Sequence, residues 1–266
     1  MSDWQLTGRI LPATLVAARR ELHTAVQVVS AVGRALVAPR DDDSHTALAW
    51  SDALDGFLGE PLADGSRAGL IVPSLVLCIV RAGAPDDAFP LGGRTLSDAR
   101  DWLAAALDEP AFPAIPVPDF LVAQRPPPIP FVVHAEFAEL ARYYADAARY
   151  LASWSDADSP LRTWPHHFDI AVLRRGPHDG QTIGIGMSPG DAECAEPYWY
   201  VAPWPRPTAD ALPPLAAGGT WHTGEWVGAL LMASRLTVEA ASAQERQVAA
   251  FVESAVAGSR AVLAGS

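Results

Sequence analysis

The sequence predicts an α+β fold in which helices cover a mainly antiparallel sheet. Two patterns lead to this prediction: apolar runs with helical spacing at both ends of each half of the chain, and short strand-like segments between them. Half of the 266 residues are apolar. The chain can therefore bury a sizeable core, as one large domain or as two smaller ones.

The first half begins with a predicted helix over residues 15–37, in which Leu22, Val26, Val29 and Leu36 share one stripe. His23 lies in this helix and can either pack against the sheet or face a pocket. The half closes with a helix over 95–109, whose N-terminus Ser97 can cap. Between the helices, strand-like segments occupy residues 45–50, 69–80 and 87–91.

The second half repeats this order of elements. A predicted helix over 135–154 opens it and a predicted helix over 242–263 closes it. The strand-like segments between them are residues 168–174, 182–187, 197–204 and 229–236. This order favours either two pseudo-equivalent helix–strands–helix halves or a single α+β domain.

A proline-rich segment separates the two halves. Eight prolines occur among the 21 residues from Pro110 to Pro130. Proline lacks an amide donor and disfavours a helical residue before it, so this segment is predicted to be extended or looped. The predicted organisation is a half over 1–109, a connector over 110–130 and a half over 131–266, and the halves can pack as one domain.

Composition excludes several classes of function. All 19 basic residues are arginine, so enzymes that need a lysine Schiff base and phosphate loops of the Walker type are ruled out. We therefore expect no cofactor. The net charge of −12 argues against nucleic acids and anionic membranes as partners.

The chain is also expected to be a cytoplasmic protein. No apolar run approaches the roughly 18 residues that a membrane span needs. The N-terminus has no secretory leader pattern. Only two cysteines are present and they stand far apart, at positions 78 and 194, which favours a reducing compartment.

Aromatic residues and histidines concentrate in one segment. Residues 154–226 hold six of the nine tryptophans and four of the seven histidines. Such residues often line binding sites. We therefore predict a pocket whose candidate catalytic residues are His167, Asp169 and His222, and whose candidate ligand-binding residues are Trp164, His166, Tyr198, Trp199, Trp221 and Glu225.

Strand alternation underlies the choice of His167 and Asp169. If residues 166–169 begin a strand, these two side chains share one face, and His166 shares the other with Phe168. His222 and Glu225 could join them as metal ligands. No H-E-x-x-H or C-x-x-C motif is present, so no metal site is predicted.

Three other motifs do not indicate catalysis. Gly186–Gly190 matches G-x-S-x-G, but Pro189 has no amide to complete an oxyanion hole. Cys194 stands among acidic residues, which disfavour a thiolate. The neighbouring Asp191, Glu193 and Glu196 are read as solvated loop acids, as a pair of carboxylates for acid–base chemistry or as a calcium loop, although the order of ligands in an EF-hand is missing.

Several short motifs resemble those of an uncharacterised bacterial family known as domain of unknown function 5996. They are Ser159-Pro160 with Trp164 and 168–172, the turn 186–190, the strand 198–200, Trp221-His222 with Trp226, and Leu22-His23 with Gln27, Gly33, Pro39 and His45. The chain is shorter than the family around residues 50–70, and its GMSPG replaces an aromatic turn. The resemblance implies one compact α+β protein. It points to no particular activity, because none is established for the family.

Two functions of different kinds fit this sequence. The first is a small-molecule pocket, binding or catalytic, in which imidazoles and carboxylates orient the ligand or transfer protons. The second is a non-enzymatic interaction or self-association module that uses the aromatic, proline-rich surface around 197–207. A pocket requires partly buried aromatic side chains beside His222, whereas an interface requires an exposed patch. The sequence leaves the oligomeric state open.

Overall fold

The computed structural model describes residues 3–124 and 128–265. It confirms the α+β class, with two antiparallel sheets and five helices in these residues. The helices are α1 (Val16–Leu36), α2 (Leu96–Ala106), α3 (Asp119–Gln124), α4 (Phe137–Leu151) and α5 (Ala241–Ala264).

The strands are short, between three and seven residues each. They are β1 (Ala49–Ser51), β2 (Gly56–Leu58), β3 (Arg67–Ile71), β4 (Val76–Arg81), β5 (Ala84–Pro90), β6 (Arg162–Trp164), β7 (Asp169–Arg175), β8 (Thr182–Ser188), β9 (Tyr198–Trp204), β10 (Thr220–His222) and β11 (Gly228–Met232).

The chain forms two compact units, and each is built from segments that are not continuous in sequence. The second-sheet unit comprises residues 3–15, 142–161 and 169–265, and the first-sheet unit comprises 16–124, 128–141 and 162–168. The chain therefore passes between the units at four points. Residues distant in sequence complete each core.

In the first-sheet unit, β1 to β5 form an antiparallel meander in chain order. Helix α1 packs against β2 and β3 and is buried over most of its length. Gly33 allows α1 to approach the loop before β1, because a Cβ at this position would collide with the carbonyl oxygen of His45. β6 joins this unit through a bridge between Thr163 and Leu48.

Two predictions about this unit need correction. Thr95, not Ser97, caps α2: the Thr95 hydroxyl accepts from the backbone N–H of Asp98, and the Asp98 carboxylate accepts from the backbone N–H of Thr95. The connector is not wholly extended, since Asp119–Gln124 is helical. These six residues contain no proline, and the carbonyl oxygen of Pro118 accepts their first hydrogen bonds. Residues 125–127 of the connector lie outside the described residues.

In the second-sheet unit, neighbouring strands follow the order β10-β11-β9-β8-β7, all antiparallel. Alternation gives this sheet two different faces. One face, which we call the core face, carries buried apolar side chains and packs against α5. Its members are Ile170, Val172, Ile183, Ile185, Met187, Trp199, Val201 and Leu231.

The N-terminal segment completes the core face. Trp4 stacks on Trp199 with ring centroids 6.0 Å apart, and Tyr150 of α4 meets Trp199 edge-on at 5.7 Å. The indole N–H of Trp4 donates to Oε1 of Gln244 on α5, 3.0 Å away. The same oxygen accepts from the backbone N–H and the hydroxyl of Thr7. This fully buried amide fastens residues 4–7 to α5.

Among the described residues, none of the helices combines the length and apolar character that crossing a bilayer requires.

Candidate functional site

The second face of this sheet carries the polar and aromatic side chains that we call the tyrosine face. The register places Tyr198 opposite Ser188, and Tyr200 opposite Gly186. Asp169 begins the adjacent strand β7 on the same side. On the other side of β9, His222 of β10 stands opposite Gly228 of β11. The tyrosine face therefore includes Asp169, Leu173, Gly184, Gly186, Ser188, Tyr198, Tyr200, Trp204, His222, Gly228 and Leu230.

Each tyrosine of this face donates its hydroxyl to a carboxylate. The Tyr200 hydroxyl donates to Oδ2 of Asp169, and the Tyr198 hydroxyl donates to Oδ2 of Asp191. Burial, then the adjacent carboxylate, raises the pKa of both phenols far above the ordinary tyrosine value. Both phenols are therefore protonated hydrogen-bond donors near neutral pH, and neither can act there as a phenolate base.

The loop over residues 189–197 is held close to Tyr198 by its own acidic residues. Oδ1 of Asp191 accepts from the backbone N–H groups of Glu193 at 2.8 Å and Cys194 at 2.7 Å. Glu196 accepts from the backbone N–H and the hydroxyl of Ser234. Asp191 and Glu196 are therefore anchored by hydrogen bonds, although both side chains remain partly exposed.

Glu193 contacts His222. Its Oε2 lies 3.1 Å from Nε2 of the imidazole. The His222 ring lies 5.0 Å from that of Trp226, which meets the Tyr200 ring at 6.4 Å and 84°. A continuous group of partly buried rings thus runs from Tyr200 through Trp226 to His222, with Glu193 at its end.

Two glycines allow these rings to lie against the sheet. A Cβ at Gly186 would come within 2.7 Å of the Tyr200 ring, and a Cβ at Gly228 would overlap the indole of Trp226. Aromatic side chains often cover strand glycines in this way. The glycines therefore fix the positions of the two rings.

The structure places three of the predicted site residues, Asp169, Tyr198 and His222, on one face of the sheet, although Asp169 and His222 lie on strands β7 and β10, which are not neighbours. Trp199 and Trp221 instead belong to the core face: Trp199 is 2% exposed, and Trp221 Nε1 donates to the carbonyl oxygen of Pro213 at 2.7 Å. The Glu225 side chain is exposed, and its backbone carbonyl accepts from Arg206.

Trp164, His166 and His167 belong to the first-sheet unit. The prediction that 166–169 begin a strand is wrong. β7 begins at Asp169, and residues 165–168 form a turn in which Phe168 takes a φ of 61°. The alternation argument for His167 and Asp169 therefore does not apply. His166 and His167 are exposed, with ring centroids 4.5 Å apart.

His23 fastens this turn to α1. Its Nε2 lies 2.8 Å from the carbonyl oxygen of Pro165, which also accepts from Nε2 of Gln27 at 2.6 Å. A carbonyl only accepts, so we assign the proton of the neutral ring to Nε2. The ring stacks on Phe168 at 5.0 Å. Burial lowers the pKa of His23 to about 4, so the imidazole is neutral near pH 7.

The remaining motifs have structural explanations. Ser188 ends β8, and its hydroxyl accepts from the backbone N–H of Gly190 at 3.1 Å. No helix follows among residues 189–197, in contrast to a nucleophile elbow. Within the described parts of the chain, no group of three or more His, Cys, Asp or Glu side chains is arranged to hold a metal ion.

A groove of about 520 Å³ opens elsewhere in the second-sheet unit, between residues 206–208, Pro213 and the C-terminal end of α5. Arg206 is its only charged lining residue, and its guanidinium already donates to the carbonyl oxygens of Gly224 and Glu225. The tyrosine face offers more functional groups, and it is the candidate site.

The predicted pocket did not include Tyr200, Trp226 or Glu193, although Glu193 is among the acidic residues that the sequence offers as a carboxylate pair. Tyr200 could have been found, because period-two alternation along β9 places it with Tyr198 and separates both from Trp199. Trp226 and Glu193 lie outside the strands, and no sequence pattern indicates in which direction their side chains point.

Comparisons with known proteins give no family for this chain. No protein-family model matches it, and neither the curated proteins nor the solved structures contain a match. The resemblance to domain of unknown function 5996 therefore stays a prediction.

Proposed function

We propose that this protein binds a small molecule on the tyrosine face of the second sheet. The supporting observation is the joined group of Tyr200, Trp226 and His222, which is partly buried and ends at Glu193. Apolar ring faces beside a few fixed polar groups are typical of ligand sites.

His222 and Glu193 are the groups that could carry out chemistry on such a ligand. An imidazole beside a carboxylate is a common arrangement for proton transfer. The phenols of Tyr198 and Tyr200 can orient a ligand only by donating or sharing a hydrogen bond, since both stay protonated. If the protein is an enzyme, we propose that His222 transfers the proton and that Glu193 orients its ring.

A thermal-shift screen of metabolites tests the proposed function. A stabilising ligand should lose its effect in His222→Ala and keep it in His178→Ala, which removes an exposed loop histidine of the same unit. A ligand whose effect is the same in both variants binds elsewhere, and that result would refute the proposal.

An interaction module remains the second candidate because one end of the tyrosine face exposes apolar side chains. Trp204 is 62% exposed and Leu173 is 60% exposed. Both point to the same side as Tyr200 by strand alternation. A dimer that forms with increasing concentration, and that Trp204→Ser disrupts in sedimentation experiments, would favour this function.

We also propose that the protein works in the cytoplasm and binds no nucleic acid. Cys78 and Cys194 are free thiols, as expected in a reducing compartment. The excess of 12 negative charges supports the absence of phosphate-backbone binding.

A further inference from the structure

We infer that the ligand of the tyrosine face is a small organic cation, such as an alkylammonium or quaternary ammonium compound. This inference rests on the proposed function and adds the class of ligand. It follows from the geometry of the rings together with the charge of the loop beside them.

The rings on the tyrosine face meet at steep angles and form a corner. Tyr200 and Trp226 meet at 84°, with centroids 6.4 Å apart, and Tyr198 and Tyr200 meet at 58° and 6.2 Å. The Trp226 indole and the His222 imidazole adjoin at 5.0 Å. Aromatic faces that enclose a ligand from several sides are typical of sites for quaternary ammonium groups, because each ring presents its negative face.

The loop over 189–197 makes this corner electronegative. It contributes Asp191, Glu193 and Glu196, and no arginine among the described residues forms an ion pair with any of the three. Burial, and then these three carboxylates, raises the pKa of the Cys194 thiol. The tyrosines add no positive charge, since their hydroxyls are neutral donors.

Other classes of ligand fit less well. An anion would approach three carboxylates, and the guanidinium of Arg206, which lies beside residues 224 and 225, already donates to the carbonyl oxygens of Gly224 and Glu225. A metal ion would need several clustered ligands, and the described residues contain no such group. A neutral apolar compound could contact the rings but would gain nothing from the carboxylates. A cation benefits from both the rings and the charge.

The test uses choline and its neutral isostere, 3,3-dimethylbutan-1-ol, as probes of the full-length protein at low salt. Binding is followed through the indole N–H signals in two-dimensional NMR, and the Trp226 signal is assigned from its loss in Trp226→Leu. Choline should shift this signal and bind about tenfold more tightly than the isostere.

Variants identify the groups that are responsible. Trp226→Leu should weaken choline binding about tenfold, measured by titration calorimetry because this variant lacks the Trp226 signal, and Glu193→Gln, which keeps the shape of the side chain, should weaken it severalfold. His178→Ala, at an exposed loop position of the same unit, should have no effect. Circular dichroism confirms that each variant is folded, and the Glu193→Gln result stands even if Trp226→Leu fails to fold.

Two results would overturn the inference: equal binding of choline and the isostere, or no choline-dependent shift of the Trp226 signal. The proposed function survives either result if a neutral or anionic metabolite still depends on His222 in the thermal-shift screen. If no metabolite depends on His222, the proposed function fails independently.

Discussion

His23 is a buried base that the fold keeps neutral. Its ring stacks on Phe168, and its Nε2 proton is donated to the carbonyl oxygen of Pro165. This carbonyl also accepts from Gln27, so the two side chains of α1 hold the 165–168 turn together. A protonated imidazole would be a buried cation with no carboxylate among its principal interactions.

The depressed pKa of His23 predicts a loss of stability in acid. Its folded pKa is about 4, below the ordinary histidine value of 6.5, so the unfolded chain binds more protons between these values. The contribution of His23 to stability is therefore complete above pH 6.5 and declines as the pH falls towards 4, by about 3 kcal/mol in total.

Urea unfolding at several pH values measures this loss. His23→Gln can still donate to Pro165 but cannot titrate, so its stability should decline less than that of the unmodified protein between pH 6.5 and 4. Parallel pH dependence in the two proteins would contradict the assignment.

The two cysteines should differ in reactivity. Burial raises the pKa of Cys78 to about 11, whereas Cys194 is only partly buried and has its pKa raised by burial and by nearby carboxylates. At pH 8, a thiol reagent such as Ellman's reagent should modify Cys194 slowly, and Cys78 only after unfolding. Rapid modification of both thiols in the native protein would be inconsistent with these environments.

At the level of the strand, β8 offers a matched pair of glycines. Gly184 and Gly186 lie on the same face of this strand. A Cβ at Gly186 would come within 2.7 Å of both the Tyr200 ring and the carbonyl oxygen of Ile170, whereas the nearest atoms to a Cβ at Gly184 are 3.8 Å away. Only the first position lacks room for a methyl group.

Gly186→Ala should therefore destabilise the protein by about 1–3 kcal/mol and weaken ligand binding, because the Tyr200 ring must move. Gly184→Ala should leave stability within about 0.5 kcal/mol and binding unchanged. Thermal or urea unfolding of both variants gives the comparison. Equal effects would mean that Gly186 does not fix the position of Tyr200.

The length of each helix or strand determined whether it could be predicted from the sequence. The long helices α1, α4 and α5 repeat their apolar positions over four or more turns, so the predicted spans differ from the observed ones by only a few residues. The three-residue strands β2, β6 and β10 were missed, because three residues contain too little alternation. The turn at 165–168 was read as a strand, since the positive φ of Phe168 follows from tertiary packing.

The candidate site was only partly predictable, because some of its contacts join residues that are distant in sequence. Alternation within β9 separates Trp199 from Tyr198 and Tyr200, and this information was present in the sequence. The contact between Glu193 and His222 joins a loop to a distant edge strand. Such contacts depend on the sheet order β10-β11-β9-β8-β7, in which β10 and β11 return beside β9 after long connections.

For the whole molecule, the division into units predicts how fragments behave. Trp4 and Thr7 bind Gln244, so the core of the second-sheet unit includes residues from the start of the chain. A fragment covering 131–266 lacks these groups and would leave the buried amide of Gln244 without most of its partners. The pseudo-equivalence of the two sequence halves stays a prediction.

This fragment should therefore lack a cooperative thermal transition and should expose apolar surface to dyes such as ANS, whereas the full chain melts cooperatively. A fragment that melts cooperatively by itself would show that residues 131–266 form an independent domain, contrary to this expectation.

The location of the ligand is the most direct test of the proposed function. The nine tryptophans are distributed over both units, so the indole N–H signals of the full chain report where a stabilising ligand binds. Binding on the tyrosine face should shift the Trp226 signal most and leave Trp50 and Trp102 of the first-sheet unit unchanged. A ligand that shifts Trp50 or Trp102 and leaves Trp226 unmoved would contradict a binding site on the tyrosine face.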